Sequence, residues 1–262
     1  MSDQPIRTSA ETIHLRPTTT LAERVLLPGD PGRALALAQF LLERPLMFNH
    51  HRGLWGYTGT ADDGEPLTIQ STGMGGPSAA IVLHELISLG VTRAIRVGTC
   101  GALAPELGLS DLVIAREAIA ADGTSAALGA TGLTHADSTL SDALRATLER
   151  GDDTPSKRSD ARKDTGHVDT QTWHQGRIVS TDLFYERDAE RNASWGAEGA
   201  LAVEMEASTL FAVGAAAGIQ VACLLAVSDT FEGPDDRVHI DDDTLLRAAE
   251  AMGSAAAAAL AQ

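Results

Sequence analysis

Cysteine, cationic side chains and long apolar runs are all scarce in this chain, and each scarcity removes a class of protein. Only two cysteines, Cys100 and Cys223, occur in 262 residues, each inside apolar sequence. That excludes a disulfide-stapled fold and suits small buried thiols in a reducing compartment, so a cytoplasmic location is expected. Lys and Arg total 20 against 36 Asp and Glu, a formal net charge of −16. Such a chain lacks the basic footprint that holds nucleic acid, so no nucleic-acid partner is expected. A small anion remains open to it, provided that arginines converge locally. The longest apolar runs, near residues 221–227 and 255–261, fall far short of the roughly 18–20 residues that cross a bilayer. Residues 1–16 carry no apolar leader, and neither secretion nor membrane association is expected. The eight histidines show no ligand spacing with Cys or Glu, so no metal and no other cofactor is expected.

What is present is a rhythm. Short β-branched or apolar runs at 24–27, 67–71, 94–98, 111–115, 178–181, 200–203 and 221–227 alternate with helical stretches at 31–42, 77–89, 138–150, 206–217 and 244–260. Gly90 and Gly218 stand where helices should stop. Alternation of this kind gives an α/β fold in which helices cover a largely parallel sheet. With 44% hydrophobic residues the chain can bury one large core, and a single domain over 1–262 is expected. Residues 1–20 read as an N-terminal arm. Residues 151–171, almost devoid of apolar side chains, read as an exposed inserted loop; whether it acts as a lid is left open.

Five segments carry chemistry. Leu27-Pro28-Gly29-Asp30-Pro31-Gly32-Arg33 leads from a strand into a helix, with Asp30 as N-cap and Pro31 in the first turn. It is either an anion site with Arg33 near the helix N-terminus or a plain cap with a solvated arginine. Arg96, in the apolar run before Gly98-Thr99-Cys100-Gly101, needs an anion or an internal carboxylate to justify its burial. Thr99 and its glycines form a Gly-rich turn at the carboxyl end of that strand, and Ser71-Thr72-Gly73-Met74-Gly75-Gly76 is another, so one shared crevice is expected. Glu204-Met205-Glu206 suits a sugar diol, with Met205 against the sugar face, or merely complements a helix dipole. Ser228-Asp229 follows the last apolar strand, and Asp229 is an N-cap or a proton donor.

LLPGDPGRA, STGMGGPSA, IRVGTCGAL, VSTDLFYERD, AVEMEAS and AVSD stand in the order and spacing of one enzyme family. From about Glu23 to Thr230 the chain resembles the nucleoside phosphorylases that include hexameric bacterial purine nucleoside phosphorylase and uridine phosphorylase. The resemblance implies a three-layer phosphorylase-type fold with a mixed, largely parallel central sheet flanked by helices. It implies phosphorolysis of nucleosides to free base and ribose 1-phosphate, in nucleoside salvage. Phosphate would be held by Gly29, Arg33, Arg96 and Thr99, completed by Arg52 of a neighbouring subunit.

The same resemblance assigns the ribose to Glu206, with Glu204 and Met205 shaping that side and His14 reaching in from the adjacent subunit. Phe184 would pack on the base, with Ser228 beside it, although a core aromatic is the alternative for Phe184. Asp229, protonated with help from the nearby phosphate, would donate to purine N7, and Arg96 would support the chemistry from the phosphate side. Sharing Arg52 and His14 implies a homo-oligomer, and the family suggests a hexamer built as a trimer of dimers. Purine nucleosides are favoured because Asp229 is present and the segment after Phe184-Tyr185 lacks Gln; Arg237 is the arginine that would assist Asp229. Uridine phosphorylase is the alternative. A nucleoside hydrolase or a noncatalytic nucleoside-binding protein would share the sugar contacts but have no use for three arginines.

Overall fold

Apolar side chains alternate along the central strands, and that alternation divides the core into two. On β1 (Arg24–Leu27), Val25 and Leu27 join one cluster and Leu26 the other. On β10 (Gln220–Gly233), Val221, Cys223, Leu225 and Val227 face one way and Ala222, Leu224 and Ala226 the other. The structure is a computed structural model that describes residues 12–151, 172–186, 188–233 and 236–262. The arm over 1–20 is therefore described only from Thr12 onward, and the inserted loop of 151–171 lies, apart from Gly151, outside the described residues.

The remaining strands are β2 (Glu43–Asn49), β3 (Gly56–Thr60), β4 (Pro66–Gln70), β5 (Arg93–Ala102), β6 (Leu112–Ala121), β7 (Leu133–His135), β8 (Trp173–Thr181), β9 (Ala200–Glu204) and β11 (Asp236–His239). Four of them and β10 close on themselves. β10 pairs with β5 in parallel and with β6 antiparallel; β6 and β8, then β8 and β9, run parallel; β9 returns antiparallel to β5. From β5 the sheet continues through β1 and β4 in parallel, then β3 and β2 antiparallel, while β7 and β11 add to β6 and β10. The parallel pairings hold the middle of a mixed sheet, and the antiparallel ones its closure and edges.

Helices α1 (Pro31–Leu41), α4 (Ser138–Glu149) and α7 (Asp242–Leu260) cover one face. Helices α2 (Gly76–Ser88), α3 (Gly123–Ala127) and α6 (Ala207–Ala217) cover the other, and α5 (Ala189–Ala197) packs on β9. Asp30 caps α1 by accepting from the Gly32 and Arg33 amides, and Gly218 ends α6 in the left-handed region at φ 68°. Both cysteines are buried free thiols.

Each strand and helix expected from the sequence is present, but four strands run several residues further than expected: β6 continues to Ala121, β8 begins at Trp173, and β5 and β10 both extend at their carboxyl ends. β5 does not stop at Gly98 for a turn; it continues through Thr99, Cys100 and Gly101 to Ala102. Pairing overrides the poor strand propensity of glycine there, because Thr99 lies opposite Ala226 and Gly101 opposite both Asp229 and Val203. β10 likewise carries Ser228 and Asp229 within the ladder, past a bulge between Val227 and Asp229, so Asp229 is not a helix cap.

Gly214 shows how tightly α6 sits on β10. A Cβ there would lie 2.3 Å from Val221 Cγ2 and 3.1 Å from its Cβ, and a β-branched side chain has little room to turn away. Alanine normally improves a helix interior over glycine by about 1 kcal/mol. Gly214→Ala is expected to reverse that sign and lower stability by about 1–3 kcal/mol, the usual range for overpacking, read as a lower urea midpoint.

Candidate active site

The loops leaving β1 and β4 are zipped together chiefly by backbone, with the Thr72 hydroxyl adding a bond to Pro28 O at 3.4 Å. Thr72 N donates to Pro28 O at 2.9 Å and Gly73 N to Gly29 O at 3.0 Å. A Cβ on Gly29 would stand 3.2 Å from Gly73 O, so both loops need glycine to approach so closely. With the Gly98–Gly101 stretch of β5 they border one cavity of about 810 Å³, which Arg33, Arg96, Met205, Glu206, Phe184 and Asp229 also line. The Gly-rich segments thus share a crevice, though Thr99 and its glycines reach it from within a strand.

Arg96 is 3% exposed and lies between two carboxylates: Nε donates to Glu204 Oε2 at 2.9 Å, and Nη2 sits 2.5 Å from Glu206 Oε2. Burial alone would weaken the cation, but Glu206 and Glu204 more than offset it and hold the guanidinium charged. The internal-carboxylate reading of Arg96 is therefore realised, yet incompletely, because buried Nη1 has no hydrogen-bond partner among the described residues. The guanidinium lies flat against Gly98, where a Cβ would come within 2.7 Å of Cζ. Arg33, half-buried at the start of α1, has its pKa lowered by burial and by the like charge of Arg96, against the pull of Asp30. Two guanidinium groups that repel each other across a concave wall are suited to share an anion.

Glu206 is also buried. Its Oε1 accepts from Gly75 N at 2.5 Å, and burial together with the neighbouring Glu204 pushes its carboxyl upward against Arg96. Met205 beside it is half-buried on the cavity wall.

At the other end of the cavity Asp229, 4% exposed, accepts from three donors. Ser228 Oγ reaches Oδ2 at 2.7 Å, while Arg237 Nε at 2.8 Å and His239 Nδ1 at 2.6 Å meet on Oδ1. Burial would raise this carboxyl, but the bonds from Arg237, Ser228 and His239 outweigh it and hold Asp229 below the usual range. The expectation that Asp229 is kept protonated meets the opposite local influence: its surroundings favour the carboxylate.

Phe184 is 53% exposed, which rules out the core-aromatic alternative, and the Arg237 guanidinium stands 4.1 Å from its ring centroid. Arg52 is exposed, in the left-handed region at φ 60°, and borders the cavity of its own chain. His14 does not line that cavity; its Nδ1 lies 2.7 Å from Glu85 Oε1 on α2, with backbone amides of Ile13 to Leu15 bound to the same carboxylate. Among the described residues no group of three or more His, Cys, Asp and Glu could hold a metal ion, and no helix is long and apolar enough to cross a membrane.

Residues 23–261 match the family described as the phosphorylase superfamily. The chain belongs to the phosphorylase superfamily. Among its relatives, the DeoD-type purine nucleoside phosphorylase of Clostridium novyi (strain NT) is 38% identical over 211 residues, covering 80% of this chain and 83% of that one. The DeoD-type enzyme of Geobacillus kaustophilus (strain HTA426) is 38% identical over 213 residues, covering 81% and 83%. Among solved structures, uridine phosphorylase from Vibrio fischeri ES114 superposes with a TM-score of 0.76 at 25% identity, over 92% of both chains.

Within this superfamily scaffold Glu204 lines the cavity beside Met205 and Glu206, and its own bonds define what it can do there. Glu204 was expected to shape the ribose side, but both its oxygens are taken: Oε1 by Ser180 Oγ and the Ala207 amide, Oε2 by Arg96, Glu206 N and Ala207 N. It fixes Arg96 and the start of α6, and has no free lone pair for a sugar. Ser180 and His239 were missed. His239 stands two residues after Arg237, a spacing that shares a face only once β11 is known to be a strand. Removing one partner of a buried ion pair leaves a charge uncompensated. Glu204→Gln is accordingly expected to lower stability by about 3 kcal/mol, measured by chemical denaturation, where a sugar-contacting surface acid would change it little.

Proposed function

We propose that this chain is a nucleoside phosphorylase that cleaves the N-glycosidic bond of purine ribo- or deoxyribonucleosides with inorganic phosphate. The observation that carries the reading is the pairing of Arg33 with buried Arg96, whose Nη1 lacks a partner, on one cavity of a strongly acidic molecule. Family membership and the DeoD-type relatives support it. Orthophosphate is placed against Gly29, Arg33, Arg96 and Thr99, with Arg52 supplied by a neighbouring subunit. The ribose lies on Met205 with its hydroxyls on Glu206, and His14 arrives from the adjacent subunit. That arrangement makes the protein a homo-oligomer with shared sites, a hexamer of three dimers, working in cytoplasmic nucleoside salvage.

The chemistry follows from charge. As the C1′–N9 bond lengthens, positive charge grows on the sugar, and the phosphate held on two guanidinium groups stabilises it and attacks C1′. At the far end Asp229, once protonated, donates to N7 so that the base leaves neutral, with Ser228 beside it and Phe184 against the ring. Arg237 on Asp229 and over Phe184 supports the purine reading. The likeness to a uridine phosphorylase structure favours pyrimidine nucleosides as the second reading.

Inosine, adenosine, guanosine and uridine incubated side by side with and without phosphate test it. Free base and ribose 1-phosphate are expected from the purine nucleosides only when phosphate is present. Cleavage without phosphate would instead mark a hydrolase, and binding without cleavage a noncatalytic protein. Asp229→Asn is expected to reduce purine turnover by about 10²–10⁴, the range of general acid catalysis, while phosphate still raises the Tm.

A further inference from the structure

Asp229 presents a problem that its own contacts do not solve. To act as an acid it must carry a proton, yet it is 4% exposed and two of its three donors never release one near neutrality. A guanidinium and a serine hydroxyl are not groups that give up protons near neutral pH. The third donor differs. His239 lies directly opposite Asp229 in the β10–β11 pairing, with Nδ1 2.6 Å from Oδ1 and a side chain that is 62% exposed. Imidazole is the side chain whose ordinary titration falls near neutral pH. The ring therefore joins water to a carboxylate that water barely reaches.

We propose that His239 is the proton relay of this site, taking protons from solvent and passing them through Asp229 to the departing base. This rests on the phosphorylase reading above and deepens it. Among the described residues, the charged groups bonded to the imidazole or to its partner are Asp229 on β10 and Arg237 on its own strand, whose guanidinium shares Oδ1; Glu186, on the loop after β8, lines the same cavity.

In the step itself, water protonates the exposed ring and Nδ1–H passes to Asp229 Oδ1. The neutral acid gives that proton to N7 as C1′–N9 breaks; the bond's electron pair leaves with the base while a phosphate oxygen bonds C1′. Asp229 returns to the carboxylate that Arg237 and Ser228 favour, and the ring, left neutral with its proton on Nε2, turns to water and is protonated at Nδ1, which restores the imidazolium that the next turnover starts from. The acidic proton of the phosphate is released to water from the sugar ester, so no net proton is consumed. His239 touches no reacting atom and acts through Asp229.

Two variants and two nucleosides test the relay. His239→Asn keeps an N–H donor near the Nδ1 position but cannot carry a proton, and N7-methylinosine already bears positive charge on its base and needs no proton to leave. His239→Asn is expected to lower kcat for inosine by about tenfold, part of the ~10²–10⁴ available to general acid catalysis. KM and Tm should stay unchanged, turnover of N7-methylinosine should fall by less than about twofold, and the neutral-range inflection of the pH profile should disappear. Free imidazole should restore inosine turnover to His239→Ala. Wild-type kcat and pH profile in His239→Asn would overturn the relay, and so would an equal loss on both nucleosides, which marks a structural role. A wild-type protein that splits neither nucleoside with phosphate overturns the phosphorylase reading and the relay with it.

Discussion

Arg96 lies almost out of contact with water, and the free energy of keeping a cation there dictates what its neighbours must be. Desolvating a guanidinium is affordable only when anions surround it in good geometry. Glu204 and Glu206 provide two, but both are themselves buried and need further donors. Glu204 finds them in Ser180 and the first amides of α6, and Glu206 in the Gly75 amide at the start of α2. One cation thereby ties β5, β8, β9, α2 and α6 into a single polar network. Its glycines follow from the same demand, since Gly98 is the only residue type that leaves room for the guanidinium beside the strand.

The network leaves Nη1 of Arg96 uncommitted among the described residues, and this is where structure passes into chemistry. Two carboxylates against one guanidinium make a local excess of negative charge, which Arg33 opposes from the α1 side. The wall is thus close to balanced without an anion and tilts positive where Arg33 and Arg96 converge. The opposite end of the cavity is built on the reverse principle, with Asp229 under several donors. The β5–β10 pairing fixes the separation of the two ends, because Thr99 sits opposite Ala226 and Gly101 opposite Asp229. A rigid ladder is a better ruler for this purpose than a loop.

How much of this could be read from the sequence depends on the kind of signal. The Asp30-Pro31 cap, the Gly218 stop and the apolar alternation of β1 and β10 are local, and they placed the central elements to within a few residues. The short or exposed elements β2, β3, β7, α3, α5 and β11 were not anticipated; β2 carries Arg44 and Pro45 and buries only its last two residues. Arg96 was recognisable because an arginine amid apolar residues demands an explanation. Its partners were visible as a Glu-Met-Glu triplet, but not which carboxylate would be consumed in holding it. That outcome depends on Ser180, which arrives from another strand and has no periodic signature. His239 was illegible for the same reason, as it gains meaning only from its register against Asp229.

The net charge raises a last question, because a molecule this acidic should repel a dianion. Screening settles it by distance. At physiological ionic strength the Debye length is about 8 Å, so surface carboxylates beyond that range contribute little inside the cavity. Groups within contact distance are barely screened, and at that range the cavity wall presents Arg33, Arg96 and the backbone around Gly29 beside Glu204 and Glu206, whose charge Arg96 and Arg33 together balance. The −16 of the whole chain therefore acts on solubility and on the approach of charged partners, while an anion in the proposed phosphate site would meet the local field of two guanidinium groups and the glycines beside them. Reading function from net charge alone would have excluded the chemistry that the buried arginine makes legible.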